Sequence, residues 1–258
     1  MLRANGVGAA IFCLLGLSLP VEAETRVDLN PEYGGSAYRF FSVFEPDPGG
    51  PENYKDEVIV VFHGFLSAIP NGTYKRVLRA LGCSRTVIGI NYDPLDVDGT
   101  VEFLNQVYTQ RLKDKRVIAL GTSLGAFWAL YFGSQFGAEK VIMVNPVVAP
   151  AEQLLEHVGT EPLNEKRAIT YRPTVDALDR YRALDPDGSA VNRMLLILSR
   201  GDDLLDYRTA LNEYQDHAGT DVVLYAQGGH TLQLKTHPAI DAIAGFVRGK
   251  RLSGGPCM

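Results

Sequence analysis

The sequence has little cysteine, with only Cys13, Cys83 and Cys257 among its 258 residues. No cysteines and histidines have the spacing of a zinc site, and neither a metal nor a cofactor is predicted. Cys13 falls in an N-terminal segment that we expect to be removed. The other two cysteines could form a disulfide in an oxidising compartment or remain separate thiols, and the sequence leaves both alternatives open.

Positive charge is not in excess either, since 25 lysines and arginines stand against 30 aspartates and glutamates, a formal net charge of -5. This balance, with no basic patch interleaved with aromatic residues, argues against nucleic acid and against an anionic membrane surface as partners. The sequence DVDG at 96–99 resembles part of a calcium loop, but Pro94 and Asn105 stand where that loop needs carboxylates. Calcium binding is therefore not predicted.

An apolar run at residues 7–19 lies close to the N terminus and is too short to span a bilayer comfortably as a retained helix. Arg3 precedes the run, and the small residues Val21 and Ala23 follow it in the positions that signal peptidase reads. We predict a signal peptide over 1–23 and an exported mature chain, periplasmic or secreted, without stable membrane association. An uncleaved anchor is the alternative, because a single charge precedes the run.

Short apolar runs alternate with helical patterns from residue 56 onward. The runs lack the apolar–polar alternation of half-buried strands, which is typical of a parallel sheet covered by helices on both faces. We predict one α/β domain over 24–258, with a doubly wound, mostly parallel sheet and an edge strand at 37–44. The predicted core strands are 57–62, 86–91, 116–120, 140–144, 194–199 and 221–225, and the predicted helices are 73–81, 99–112, 124–136, 207–217 and 238–247.

Residues 149–186 interrupt this alternation. They contain the helical stretches AEQLLEHV and TVDALDRYRAL with no predicted strand between them. The segment leaves the carboxyl edge of the sheet, where open α/β sheets bind their ligands, and we therefore predict a short helical insertion that acts as a lid. Ordinary helical packing on one face of the sheet is the alternative.

A candidate nucleophile, Ser123, stands between two glycines in the sequence GTSLG, which joins a predicted strand to a predicted helix. In such a nucleophile elbow the glycines relieve crowding and the serine hydroxyl projects above the sheet edge. The N terminus of the following helix favours developing negative charge. The alternative is a serine that caps the helix and has no chemical role.

A serine hydroxyl needs a base, and His230 is the candidate. It follows the last predicted strand in Gly-Gly-His, where the glycines let a loop fold back towards the sheet edge. His157 and His217 lie in helical patterns and are expected to be surface or packing residues. His237 precedes a proline at a predicted helix start and has a local structural role.

The base needs an acid that orients it, and the loop after the strand at 194–199 contains three candidates. Asp202 is the first choice because it is nearest to the end of the strand and follows Gly201. Asp203 and Asp206 are its rivals. The resulting order of serine, aspartate and histidine, each after a strand, is the order found in α/β-hydrolases.

Two backbone amides are expected to stabilise an oxyanion. One is the N–H of Leu124, directly after the serine, and the other is the N–H of Phe65, in the loop after the first core strand. Gly64 keeps that loop open. His63 precedes it and is expected to fix the loop through hydrogen bonds to the backbone, with a second catalytic histidine as the alternative.

Several longer motifs together resemble the YqiA/YcfP-like esterases of the α/β-hydrolase superfamily over residues 58–247: HGF, GTSLGAFWA, NPVVAPAEQLLEHVG, SRGDDLLDYRTALNEY and GGH. The resemblance implies an α/β-hydrolase fold and a serine hydrolase of small esters or thioesters, in which the GDD aspartate and the GGH histidine complete the triad. Two features depart from the family pattern. Ala126 replaces a frequent glycine, and the signal segment is unlike that of cytosolic members.

The predicted reaction is hydrolysis of a small carboxylic ester or thioester through an acyl-enzyme on Ser123. Two other functions remain open. The same fold could transfer the acyl group to an acceptor other than water, or the chain could be a catalytically silent binding module that keeps the elbow for structural reasons alone. The acyl chain, the leaving group and the oligomeric state are not predicted.

Overall fold

The computed structural model describes residues 25–27, 39–45, 54, 56–82, 84–232 and 238–249. The predicted signal segment and all three cysteines lie outside these ranges, as does His237. Within them, no helix combines the length and the apolar character that crossing a bilayer requires. No group of three or more His, Cys, Asp or Glu side chains in the described ranges is placed to hold a metal ion.

The described strands form one main sheet and one small hairpin. The strands are β1 (Thr25–Val27), β2 (Phe40–Phe44), β3 (Glu57–Phe62), β4 (Thr86–Asn91), β5 (Arg116–Thr122), β6 (Lys140–Val144), β7 (Leu163–Asn164), β8 (Ile169–Thr170), β9 (Met194–Ser199) and β10 (Thr220–Tyr225). The main sheet has the order β1-β2-β4-β3-β5-β6-β9-β10. Strands β3 to β6, β9 and β10 are parallel, whereas β1 and β2 run antiparallel at one side.

Strand β3 shows why the core strands read as unbroken apolar runs. It lies between β4 and β5, with Val58 opposite Thr86 and Val117. Val60 packs into the apolar cluster on one face of the sheet, and Ile59 packs into the cluster on the other face. Because both faces are buried, the residues that follow Glu57 in this strand are apolar on both of them.

Helices cover both faces of the sheet. They are α1 (Gly72–Leu81), α2 (Val97–Val107), α3 (Leu124–Phe136), α4 (Pro150–Gln153), α5 (Val175–Arg182), α6 (Tyr207–Tyr214) and α7 (Ala239–Val247), with a π-helical turn at Tyr108–Leu112 and 3-10 turns at Leu155–His157 and Gly188–Ala190. Buried side chains of α1 and α7 belong to one apolar cluster, and those of α2, α3 and α6 belong to the other. The predicted doubly wound, mostly parallel α/β fold is confirmed.

Some predicted boundaries were wrong. The strand predicted at 37–44 begins at Phe40 and is not at the edge, because β1 pairs with its outer side. A three-residue strand such as β1 is too short to show a periodic pattern. The helix predicted at 99–112 is α-helical only to Val107, and it ends in the π-helical turn.

The segment 149–186 was predicted to contain no strand, and this was wrong, because β7 and β8 form an antiparallel hairpin within it. The segment packs against loops at the carboxyl ends of β3 and β4. The buried Asn164 donates a hydrogen bond of 2.7 Å to the Ser67 carbonyl, and the Tyr181 hydroxyl donates one of 2.7 Å to the Pro94 carbonyl. The segment therefore borders the edge at which a site was predicted, and its role as a lid stays a prediction.

Candidate active site

Ser123 occupies a strained turn between β5 and α3. Its φ is 57° and its ψ is -127°, a backbone conformation that residues other than glycine rarely adopt. Neighbouring backbone holds it there, since the Ser123 N–H donates to the Val144 carbonyl at 3.0 Å and the Ser123 carbonyl accepts from the Ala126 N–H at 2.9 Å. Strain that is fixed in this way is typical of functional residues.

The two glycines of GTSLG are required by close backbone contacts. A Cβ on Gly125 would lie 2.5 Å from the carbonyl oxygens of both Phe62 and His63, and a Cβ on Gly121 would overlap the Gly125 carbonyl. Non-bonded atoms do not approach so closely. The glycines therefore allow α3 to start directly against the end of β3, which places Ser123 at the carboxyl edge of the sheet.

Asp202 and His230 meet at this edge, with 2.8 Å between Asp202 Oδ2 and His230 Nδ1. The side chain of Asp202 is only 2% exposed. Its second oxygen, Oδ1, accepts hydrogen bonds of 2.9 Å from the backbone N–H groups of Leu204 and Leu205. Asp202 thus follows β9 in a fixed orientation with its carboxylate directed at the ring.

The two rival aspartates do not make this contact. Asp203 is exposed. Asp206 caps the N terminus of α6, where it accepts a hydrogen bond of 3.0 Å from the Arg208 N–H. Within the loop after β9, the histidine is therefore oriented by the carboxylate nearest to the end of the strand.

Opposing effects determine the protonation of Asp202. Burial raises the pKa of its carboxyl, but the hydrogen bonds from His230 and from the amides of Leu205 and Leu204 outweigh burial and hold the pKa below its ordinary value. An ionised carboxylate only accepts hydrogen bonds, so Nδ1 of His230 carries the proton that is shared with it. The other ring nitrogen, Nε2, is then left with a free lone pair.

Asn145 is a residue of the site that the sequence reasoning missed. It follows β6 with a φ of 41°, and its amide nitrogen donates to the carbonyls of His230 at 2.7 Å and Gly229 at 3.2 Å. Its amide oxygen accepts from the Ser199 N–H at 2.8 Å. One amide therefore ties the histidine loop to the ends of β6 and β9. Its signal in the sequence is a polar residue directly after a buried strand, but an amide there does not indicate an orienting acid.

A cavity of about 650 Å³ opens at this edge and is lined by both Ser123 and His230. No hydrogen bond joins the Ser123 hydroxyl to the His230 ring in the described part of the chain. In enzymes that use such a pair, this contact often tightens only when substrate is bound. Phe65 also lines the cavity, so three of the predicted site residues border the same space.

The loop after β3 lies against the serine. A Cβ on Gly64 would be 3.2 Å from both the Ser123 Cβ and the Thr122 carbonyl oxygen, a contact tighter than ordinary van der Waals packing. Phe65 follows immediately, and Leu124 is the first residue of α3, so its N–H has no acceptor within the helix. The pairing of the Phe65 and Leu124 amides as oxyanion donors stays a prediction.

His63 fixes this loop. Its ring nitrogen Nδ1 lies 2.8 Å from the Gly64 carbonyl, which can only accept, so Nδ1 carries the proton. Its own carbonyl accepts a hydrogen bond of 2.6 Å from the Tyr92 hydroxyl, and the two rings stack at 4.4 Å. Burial lowers the pKa of His63 to about 3, the bond to Gly64 opposes this shift, and Arg167 and Lys166 reinforce it.

Because its folded pKa lies below the usual value of about 6.5, His63 should make the fold sensitive to acid. The unfolded chain binds a proton at this histidine between pH 6.5 and pH 3 and the folded chain does not, so the free energy of unfolding falls as the pH falls. His63→Asn retains a donor for Gly64 and cannot titrate. We expect this variant to lose stability less steeply than the wild type between pH 6.5 and pH 4, measured by urea unfolding at each pH.

His157→Asn is the control for this measurement, since the side chain of His157 is 31% exposed and packs beside Phe65 at 5.1 Å. Its unfolding free energy should follow the wild-type pH dependence. Equal slopes for the wild type and His63→Asn would show that His63 does not resist protonation in the fold.

A family model described as "Uncharacterised protein family (UPF0227)" matches residues 58–247 of this chain. A UPF0227 protein of Serratia proteamaculans is 30% identical over 152 residues, which are 58% of this chain and 77% of the relative. A UPF0227 protein of Vibrio cholerae is 26% identical over 163 residues, which are 62% of this chain and 84% of the relative. The resemblance seen in the sequence motifs is confirmed.

Solved structures share the fold at low sequence identity. Est1E from Butyrivibrio proteoclasticus has a TM-score of 0.65 at 11% identity, with 88% of this chain and 98% of Est1E covered. The esterase domain of a Rhodothermus marinus protein has a TM-score of 0.61 at 15% identity, with 88% and 96% covered. XC6422 from Xanthomonas campestris, described as an α/β serine hydrolase without lid, has a TM-score of 0.54 at 17% identity, with 84% and 91% covered. The fold is that of the α/β-hydrolases.

Proposed function

Because the chain belongs to the UPF0227 family and has the α/β-hydrolase fold, we propose that it is a serine hydrolase of small carboxylic esters or thioesters. The observation that carries the proposal is the 2.8 Å contact between Asp202 and His230 beside a cavity that the strained Ser123 also lines. Relatives of the same fold that are described as an esterase domain and as a serine hydrolase support this class of reaction.

In the proposed acylation step, the Ser123 oxygen attacks the carbonyl carbon of the substrate while Nε2 of His230 accepts the hydroxyl proton. Asp202 keeps the proton of Nδ1 in place, which directs the free lone pair of Nε2 towards the serine, and its negative charge stabilises the imidazolium that forms. The N–H groups of Phe65 and Leu124 bind the oxyanion. When the tetrahedral intermediate collapses, His230 returns its proton to the departing alcohol or thiol, and an acyl-enzyme remains.

Deacylation reverses these roles with water as the nucleophile. His230 takes a proton from the water that attacks the acyl carbonyl, the same two amides hold the second oxyanion, and His230 then protonates the Ser123 oxygen as it leaves. The carboxylic acid is released and the enzyme is regenerated. His63 does not take part, because its pKa of about 3 and its hydrogen bond to Gly64 keep it in one neutral tautomer.

A fluorophosphonate probe tests the proposal on the purified mature protein. We expect covalent labelling that mass spectrometry locates on Ser123, together with hydrolysis of a chain-length series of p-nitrophenyl esters and matched thioesters. Product analysis with added alcohols separates hydrolysis from acyl transfer. A protein that neither reacts with the probe nor cleaves any ester in the series would be a binding module, and the proposal would be wrong.

Asn145→Ala is expected to lower kcat about tenfold or more, since the loop that carries His230 loses both hydrogen bonds from the amide. The measurement is steady-state hydrolysis of a p-nitrophenyl ester, with KM determined separately. A positioning role predicts that kcat falls more than KM rises.

Asn145→Gly separates this effect from backbone strain, because glycine accepts the φ of 41° but provides no amide. It should lose as much kcat as the alanine variant while unfolding at a higher temperature than that variant. If Asn145→Gly retained wild-type kcat, the side-chain hydrogen bonds would not position the histidine.

We further propose that the chain is exported and that residues 1–23 are removed. The support is the sequence of that segment alone, since it lies outside the described residues. Expression of the full chain with a C-terminal tag, followed by cell fractionation and N-terminal sequencing, should give a periplasmic or secreted protein that begins at Glu24. A tagged protein that retains its first residues and sediments with membranes would favour the anchor instead.

A further inference from the structure

Two cationic side chains, Arg76 and Lys166, line the same cavity as Ser123 and His230. No aspartate or glutamate is among the described residues that line it. The protein as a whole carries a formal net charge of -5, so this local excess of positive charge does not follow from composition. Cations that converge in a cavity without acidic partners are a feature of sites that bind anions.

The side chain of Arg76 extends towards the N terminus of its helix. Arg76 lies on α1, and its guanidinium folds back to the first turn, where Nη1 and Nη2 would be 3.2 and 3.3 Å from a Cβ on Gly72. The N terminus of a helix already carries partial positive charge, and this first turn contains no acidic residue. The Arg76 guanidinium therefore lies near the positive end of the helix dipole, which is electrostatically unfavourable for a cation.

No described group compensates this charge. Arg76 forms no ion pair with a described residue, and its Nε atom is shielded from solvent without a hydrogen-bond partner. Burial, reinforced by the positive charge of Arg79, lowers the pKa of Arg76. A guanidinium in such surroundings gains most from an anion that approaches through the cavity.

Lys166 reaches the cavity from the insertion. It lies in the turn between β7 and β8, and the bond of 2.7 Å from Asn164 to the Ser67 carbonyl anchors this hairpin to the loop after β3. Lys166 forms no ion pair with a described residue. The anchored hairpin thus places Lys166 at the wall of the cavity that Arg76 also lines.

We propose that the substrate of this hydrolase carries an anionic group, a carboxylate or a phosphate, which Arg76 and Lys166 bind beside the reacting ester. This inference rests on the proposed function and narrows it from small esters in general to anionic ones. Arg76 supplies a planar donor that suits either anion, and Lys166 supplies a point charge. Both act on substrate binding, so their effect falls on kcat/KM for anionic substrates.

The test compares two pairs of esters that differ in charge. The first pair is p-nitrophenyl butyrate and the p-nitrophenyl monoester of glutaric acid, which places a carboxylate on the acyl side. The second is 2-hydroxyethyl butyrate and 2-phosphoethyl butyrate, which places a phosphate on the alcohol side. The readout is the ratio of kcat/KM for the anionic ester to that for its neutral partner, because any general effect on folding or catalysis cancels in this ratio.

We expect the wild type to prefer the anionic member of at least one pair by about tenfold or more, and the preferred pair distinguishes a carboxylate on the acyl side from a phosphate on the alcohol side. Arg76→Gln and Lys166→Gln should each lower this ratio about fivefold, and Arg76→Lys should retain part of it. Arg79→Gln, a change on the same helix outside the cavity lining, should leave the ratio at the wild-type value.

The anion site would be wrong if an active wild type gave ratios near one in both pairs. It would also be wrong if neither glutamine variant changed the ratios. Either result would leave the proposed hydrolase function unaffected. Failure to cleave any of the four esters, the neutral ones included, would instead contradict the proposed function itself. The two failures are therefore distinguishable in a single set of measurements.

Discussion

Ser123→Ala should lower kcat for hydrolysis of p-nitrophenyl esters by at least about 10³-fold. In the proposed mechanism the side-chain oxygen forms the acyl-enzyme, and no other described hydroxyl of the cavity lies in the strained turn between β5 and α3. The variant should fold normally, because the strain at this position lies in the backbone, whose hydrogen bonds to Val144 and Ala126 remain. Burst kinetics with a slowly deacylated ester should disappear with the hydroxyl.

Ser67→Ala is the matched control, since Ser67 also lines the cavity but contributes its backbone carbonyl, which accepts from Asn164. Its kcat should remain within a few fold of the wild type. Comparable turnover by the Ser123 and Ser67 variants would mean that the hydroxyl of residue 123 is not the nucleophile, and the proposed hydrolase mechanism would have to be abandoned.

Asp202→Asn should lower kcat by about 10⁴-fold, an effect of the size known for the equivalent change in a serine protease triad. An amide that donates to Nδ1 of His230 would favour the wrong tautomer, in which the proton sits on Nε2 and the lone pair points away from Ser123. Shape and volume are nearly unchanged, so the amides of Leu204 and Leu205 can still donate to the remaining oxygen. The loss should therefore be catalytic, with little change in the melting temperature.

Two further aspartates in the same loop provide controls of identical chemistry. Asp203→Asn alters an exposed side chain, and Asp206→Asn replaces one good helix cap by another. Both variants should keep kcat within a few fold of the wild type. A loss in Asp203→Asn or Asp206→Asn that matches the loss in Asp202→Asn would assign the orienting acid to another residue than the one that contacts the ring.

Much of the fold could be predicted because the core strands are buried on both faces. Runs such as 57–62 and 194–199 show no alternation of apolar and polar residues, and the observed strands β3 and β9 have those same bounds. The helices between them show apolar residues at helical spacing. These are local patterns, and one sequence is enough to reveal them.

The parts that were missed depend on contacts between distant residues. The hairpin β7–β8 has only two residues in each strand, and Asn164 stabilises it by a bond to Ser67, 97 positions away in the chain. The strand β1 is similarly short and is defined by its pairing with β2. A periodic pattern cannot form in two or three residues, so neither strand leaves a signal in the sequence.

The candidate site was predictable where its residues follow strands, and not where they act through backbone groups. Ser123, Asp202 and His230 each stand just after a strand and belong to residue types with known chemistry. The roles of Asn145 and Tyr92 were not visible, because each binds main-chain carbonyls of loops that are far away in sequence. Arg76 and Lys166 are far apart in the sequence and come to one cavity only through the fold, so no local pattern predicts their proximity.

The contact of Gly125 with the carbonyls of Phe62 and His63 has a consequence for engineering. A common route to thermostable variants replaces glycines in helices by alanine, which reduces the freedom of the unfolded chain. At Gly125 that rule fails, because the added methyl group would push α3 away from the end of β3 and displace Ser123, the proposed nucleophile, from the loop after β3. Stabilising libraries for this enzyme should therefore leave the elbow unchanged and place their diversity elsewhere in the chain.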